Sequence, residues 1–242
     1  MLTITSFMSM LPMYGQTADI VVSYDYISPN FRNGKPETTQ NFVLAANTSQ
    51  SNFYSPRTLQ LDSLKSTPDG IERINDINRA AVMSGQFDNI LKSDGTFYAV
   101  KSNADNKVSI YALAGMEKQY FTDPMNEITW EIGDSTKVVL GQECQQANTT
   151  YRGRQWTAWF APEIPIQDGP WKLCGLPGLI LEATSTDGLH SFVATGIEAK
   201  RAPIPPVYLT NEYVKTTARK FYMTRRAFLD NPLGNTKKKT KS

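Results

Sequence analysis

A single histidine, His190, and two cysteines, Cys144 and Cys174, stand in a chain of 242 residues. That shortage excludes the usual zinc centres, which take several Cys and His side chains. It also leaves His190 as the sole base for a Ser–His or Cys–His catalytic pair. Charge is scarce too, at 20% of residues and a net +2. Much of the basic excess lies at the end, in Lys237, Lys238, Lys239 and Lys241. Without that tail the body is slightly acidic, which argues against a nucleic-acid-binding face. No apolar run is long enough for a transmembrane helix. Neither a metal nor an organic cofactor is expected. What remains is ordinary globular composition, 40% hydrophobic, in a chain long enough to bury a sizeable core.

Residues 1–18, "MLTITSFMSMLPMYGQTA", carry no charge and have an apolar stretch followed by small residues. They resemble a secretory signal peptide that lacks its basic leader. Export is expected, to the periplasm or the outer-membrane surface. In such an oxidising compartment an even number of cysteines fits one disulfide. Cys144 and Cys174 would close a loop of about 30 residues and stabilise it by about 2–4 kcal/mol. The rest divides into one β-rich domain, 19–234, and a solvated basic tail, 235–242.

From Asp19 onward the pattern is that of short strands. "DIVVSYDYI", "NFVLAANT", "GTFYAVKS", "KVSIYALAG", "NEITWEIGD", "TKVVLGQECQQANTTYR", "GRQWTAWFA", "GLILEAT" and "HSFVATGIEAK" are rich in β-formers and bounded by turn residues. Residues 55–70, with Pro and Gly punctuation, read as a loop. Residues 71–84 place Ile71, Ile74, Ile77, Ala81 and Val82 near helical spacing. A terminal helix is expected after "RAPIPPVYL", capped by Thr210 or Asn211 and stopped by "NPLG". The predicted fold is mainly antiparallel β: a curved, partly closed sheet or half-barrel with a short helix and a C-terminal helix, or alternatively a β-sandwich.

The stretch "GPWKLCGLPGLILEAT" (169–184) contains two glycines three residues apart. A phosphate loop needs wider spacing and a following Lys-Ser/Thr, and a dinucleotide fingerprint fails similarly. A turn fits. Pro177 presets the negative φ of a second turn position and Gly178 supplies a positive φ at the third, giving a type II turn over Leu176–Leu179. Gly175 adds backbone freedom upstream, and Leu179 and Ile180 begin the next strand.

The blocks "VLGQECQQA" (139–147), "RGRQWTAWFAPEIPIQDGPW" (152–171) and "GLPGLILEA" (175–183) resemble the GLPGLI family, named for that motif and found chiefly in Bacteroidetes. Gly153, Arg154, Trp156, Trp159, Pro165, Gly169 and Pro170 sit at positions of its wider pattern. The resemblance implies an exported protein of uncharacterised function and transfers no catalytic residues. At the level of fold it also suggests the curved sheets of lipoprotein carriers.

Trp156 and Trp159 are an odd number apart and point to opposite faces of a strand. With Trp171 they serve core packing or line a ligand groove. Arg154 and Glu163 are placed to pair across neighbouring strands. Asp168 opens the "DGP" turn, where an Asx-type bond explains it. His190, after the "TDG" turn, reads as a surface or partly packed side chain. The binding candidates are therefore Trp156, Trp159, Trp171, Arg154 and Glu163. The function expected is non-enzymatic binding of an apolar ligand or of an outer-membrane transport or assembly partner. The alternative is a hydrolase using Glu163 or Asp168.

Overall fold

The computed structural model describes residues 16–29, 36–93 and 97–231. Most of segment 1–18 and the whole of 235–242 lie outside the described residues. Strands β1 (Thr17–Ala18), β2 (Ile20–Pro29), β3 (Pro36–Ala46) and β4 (Gln50–Tyr54) precede helices α1 (Pro56–Lys65) and α2 (Gly70–Met83). Then come β5 (Phe97–Ser102), β6 (Lys107–Ala114), β7 (Glu117–Pro124), β8 (Glu131–Val139), β9 (Gln142–Tyr151), β10 (Arg154–Ala161), β11 (Leu179–Ser185) and β12 (Ser191–Glu198). Two short strands, β13 (Ala202–Pro203) and β14 (Val214–Lys215), lead to helix α3 (Ala218–Asp230).

Twelve strands form one mixed, mostly antiparallel open sheet in the order β14-β7-β6-β5-β4-β3-β2-β12-β11-β10-β9-β8. Among the described residues only β14 pairs in parallel, with β7. Strands β7 and β8 are second and last in that order, so ten interstrand steps separate them. In a flat sheet this is about 48 Å. Yet the chain passes from Pro124 to Glu131 in seven residue steps, which reach about 25 Å at most. The sheet therefore curls until its ends approach, and residues 125–130 bridge the gap. No helix among the described residues is long and apolar enough to cross a membrane.

Period-two alternation puts the core inside this curl. Along β6, Val108, Ile110, Ala112 and Ala114 are buried while the residues between them are not. They join Val22, Tyr24, Phe42, Leu44, Phe53, Phe121, Ala158 and Leu181 in one core. The sequence "TKVVLGQECQQANTTYR" is not one strand. Leu140 and Gly141, with φ of 50° and 77°, make a two-residue hairpin between β8 and β9.

Residues 55–70 are not a loop. Ser55 caps α1, accepting a hydrogen bond from the Thr58 N–H at 3.3 Å, and Pro56 occupies the first turn. Proline is tolerated there because the first-turn N–H has no helical partner. Thr58, Leu61 and Asp62 supply a buried face, with Asp62 accepting from the Tyr98 hydroxyl at 2.8 Å. Helix α2 falls where the periodicity places it, but Ile74 and Ala81 are buried while Ile71 and Val82 are exposed. The terminal helix begins later than Thr210. Thr217 is its cap, and Thr210–Glu212 forms a single 3-10 turn.

The Gly-Leu-Pro-Gly corner lies at the end of a long loop, 162–178, that joins two directly paired strands (Ala161↔Leu179). It is not a type II turn: Gly175, not Gly178, has the positive φ, at 89°. The Gly178 N–H donates to the Leu176 carbonyl at 2.8 Å. That is a three-residue γ-type turn centred on Pro177. Gly178 is required for a different reason. A Cβ there would stand 2.3 Å from the Ala161 carbonyl oxygen. Gly169 likewise leaves no room, since a Cβ would lie 2.7 Å from the Ile180 Cβ. The loop thus packs backbone against backbone at the floor of the curl, burying Ile166, Leu173 and Leu176.

The cysteines are free and buried; the expected disulfide is absent. Cys144 is on β9, within electrostatic reach of Lys137 and Glu182, and its thiol donates to the Gln142 carbonyl at 3.6 Å. Cys174 is in the loop inside the curl, within electrostatic reach of Lys101 and Asp168, and its thiol donates to the Met125 carbonyl at 3.9 Å. The two thiols thus have different surroundings and different partners. Burial pushes the Cys174 thiol up to about 11.

Candidate binding cleft

Hairpin β9–β10 turns through Arg152 and Gly153, whose φ values are 53° and 74°. Beyond the turn, Tyr151 faces Arg154 and Thr149 faces Trp156 across the ladder. Cross-strand partners and alternate residues share a face, so Tyr151, Arg154 and Trp156 all point into the curl. On the neighbouring strands Phe192 faces Tyr26, and their rings stack at 4.4 Å. Helix α3 adds Phe221, Tyr222 and Arg225, and the loop 162–178 adds Trp171.

Together with Phe97, Ile110, Ala112 and His190 these side chains line a cleft of about 630 Å³. Its walls are mainly aromatic, and Arg152, Arg154 and Arg225 stand among them. Among the described residues its lining contains no carboxylate. Trp156 has one edge on a second, polar cleft of about 430 Å³, lined by Thr129, Asn148, Thr149, Gln155 and Thr186 among others. The Trp156 indole Nε1 is buried and has no hydrogen-bond partner among the described residues.

Arg152 and Arg154 are held by carboxylates that are not part of the lining. Arg152 donates to Glu127 at 2.7 Å and reaches Asp123 at 3.1 Å. Asp123 also accepts from Lys172 at 2.5 Å. Lys172 is fully buried, and burial lowers its pKa against the opposing pull of Asp123. This cluster joins β7 to the β9–β10 hairpin inside the curl, clamping it without backbone pairing. Arg154 bonds Asp187, not Glu163. Asp187 is itself held by the Ser185 hydroxyl and the Leu189 N–H, and the first of these bonds is the main cause of its lowered pKa.

His190 Nδ1 and the Tyr26 hydroxyl are 2.8 Å apart. Burial, assisted by Arg154 and Arg225, lowers His190 to about 4, so the ring is neutral at pH 7. Burial also pushes Tyr26 up to about 12, against the effect of the same two arginines. The phenol and imidazole therefore share one neutral hydrogen bond, with both guanidinium groups close by.

Of the residues singled out in the sequence, the structure brings Trp156, Trp171 and Arg154 together in the cleft. Trp159 and Glu163 lie elsewhere. Trp159 takes the outer face under Lys137, whose Nζ is 4.6 Å from the ring centroid. Glu163 is exposed at the start of the loop. Asp168 does bond its neighbour's N–H, at 2.6 Å. Its main partner is the fully buried Lys101, at 2.5 Å, whose ammonium also donates to the Gly169 carbonyl at 2.6 Å. Tyr26, Tyr151, Phe192 and the α3 residues went unmarked in the sequence. As isolated aromatics in strands and a helix they carry no local signal beyond core packing. Among the described residues no group of three or more His, Cys, Asp or Glu side chains is arranged to hold a metal.

A curled, mostly antiparallel sheet with an aromatic cleft in its hollow defines the class of protein. Residues 116–182 match the family model described as Porph_ging, a protein of unknown function. That span runs from the turn after β6 into β11 and includes the bridging segment, the hairpin and the whole loop. No curated protein matches the chain. Among solved structures the chain is similar to PNGF-II in two space groups, P21 and C2. The TM-scores are 0.55 and 0.53, with 15% and 14% identity, and each match covers 87% of this chain. The match covers 33% of the PNGF-II chain, so this chain spans about a third of its length. At such identity the likeness is one of fold.

Proposed function

We propose that this chain is a non-enzymatic binding protein of the cell envelope that holds an apolar ligand in the cleft between the curled sheet and α3. The cleft carries the reading: about 630 Å³ of space walled by Tyr26, Tyr151, Trp156, Trp171, Phe192 and Tyr222. Ligand pockets are typically of this size, mostly apolar, with a few placed polar groups. The uncharged apolar segment at 1–18 and the GLPGLI-like blocks support the envelope setting. A hydrolase using Glu163 or Asp168 draws no such support. Neither lines the cleft, and Asp168 is committed to Lys101.

The test is fluorescence titration with the neutral probe N-phenyl-1-naphthylamine. The protein is expected to enhance its emission saturably, and Trp171→Ala and Tyr222→Ala are each expected to weaken binding about fivefold or more by removing aromatic wall area. An absent signal, or one indifferent to both substitutions in folded protein, refutes the proposal.

A further inference from the structure

The cleft sets apolar and cationic groups side by side. Ile110, Ala112, Trp171 and Phe221 line it together with Arg152, Arg154 and Arg225. The Tyr26 hydroxyl and His190 Nδ1, 2.8 Å apart, belong to the same lining, and Arg154 and Arg225 both act on that pair. The Arg154 side chain is 31% exposed and spends one nitrogen on Asp187. A guanidinium has five N–H donors in a planar fork, so others remain for an oxygen anion. The Tyr26–His190 pair is neutral and brings no competing charge. Trp156 lines this cleft and the polar one alike, and its buried Nε1 has no hydrogen-bond partner among the described residues.

We infer that the ligand is an amphipathic anion whose charged head sits at Arg154 and Arg225, beside Tyr26 and His190, and whose apolar body lies along Trp156, Phe192 and Trp171. The inference rests on the binding role proposed above and names the chemistry of the ligand. Carboxylate, sulfonate and phosphate heads share the recognition: oxygens that accept from guanidinium N–H groups.

The experiment compares 1-anilinonaphthalene-8-sulfonate with N-phenyl-1-naphthylamine, the same ring system without the sulfonate. The sulfonate is expected to bind about tenfold tighter, the order expected of a hydrogen bond to a charged group. In Arg154→Gln the ratio of the two affinities is expected to fall toward one. Arg226→Gln, on an α3 side chain 85% exposed and outside the cleft lining, is expected to keep the wild-type ratio. Laurate and dodecyl phosphate, each against dodecanol, then compete with the bound neutral probe. Stronger displacement by either anion supports the inference and identifies its head group. If the neutral probe binds and the sulfonate binds no tighter, the anionic head is refuted while apolar binding stands. An equal fall in the ratio for Arg226→Gln refutes the assigned site. If neither probe binds, the binding role itself fails, and this inference with it.

Discussion

Replacing Asp168 with Asn should destabilise the protein far more than an isosteric change at a surface turn would. Lys101 is 0% exposed and Asp168 is 6% exposed, with the charged bond 2.5 Å long. In Asp168→Asn the ammonium keeps the Gly169 carbonyl and gains an amide oxygen but loses its counter-charge. Leaving one buried charge unpaired costs about 3–5 kcal/mol. The retained acceptors place Asn at the low end, about 3 kcal/mol, and Asp168→Ala at the high end. For a chain of this size that lowers Tm by roughly 6–12 °C. Lys101→Met in the Asp168→Asn background removes the stranded charge and should recover much of the loss, because an apolar replacement of a whole buried pair is often neutral. Urea unfolding followed by tryptophan fluorescence measures all three variants. If Asp168→Asn lies within about 1 kcal/mol of wild type, the buried-pair argument is wrong. It is equally wrong if the double variant is no more stable than Asp168→Asn.

The glycines of the loop should separate by mechanism. Gly178→Ala meets backbone at 2.3 Å and should cost about 3 kcal/mol or more by urea unfolding. Gly175→Ala meets nothing within 4 Å and should cost only the left-handed φ, about 1–2 kcal/mol; equal losses would contradict this. His190 should make stability depend on pH. Its folded value, about 4, is below the unfolded 6.5. The unfolded chain therefore binds more protons between these values, and stability falls as pH drops from about 6.5 to 4. The whole shift corresponds to about 3 kcal/mol, which partial solvent access to the ring reduces to about 1–2 kcal/mol. His190→Gln should flatten the unfolding free energy across that window, and an unchanged slope would refute the neutral, buried ring.

Much of the architecture is local and was legible. The β-formers of "KVSIYALAG" placed a strand, found as β6, Lys107–Ala114. The strand-rich pattern with a terminal helix led to the curved sheet. Odd spacing put Trp156 and Trp159 on opposite faces. The misses came where one residue type serves two purposes. Pro56 starts a helix rather than interrupting one, and its signal was the preceding Ser55 cap. Gly178 answers to close packing against Ala161 rather than to a positive φ, and no local pattern separates those uses. Two cysteines suggested a bond, but the tertiary structure gives each thiol its own carbonyl partner, Gln142 for Cys144 and Met125 for Cys174.

The sequence by itself determined most of the strands and the family-like motif, because periodicity and turn preference act over a few neighbouring residues. The tertiary structure decided which distant side chains meet. Lys101 finds Asp168 and Lys172 finds Asp123 across 67 and 49 residues of chain. The cleft draws on β2, β3, β5, β6, β9, β10, β12, α3 and the loop. Such meetings follow from strand order and curl, and those depend on long-range pairing that no short stretch of sequence encodes.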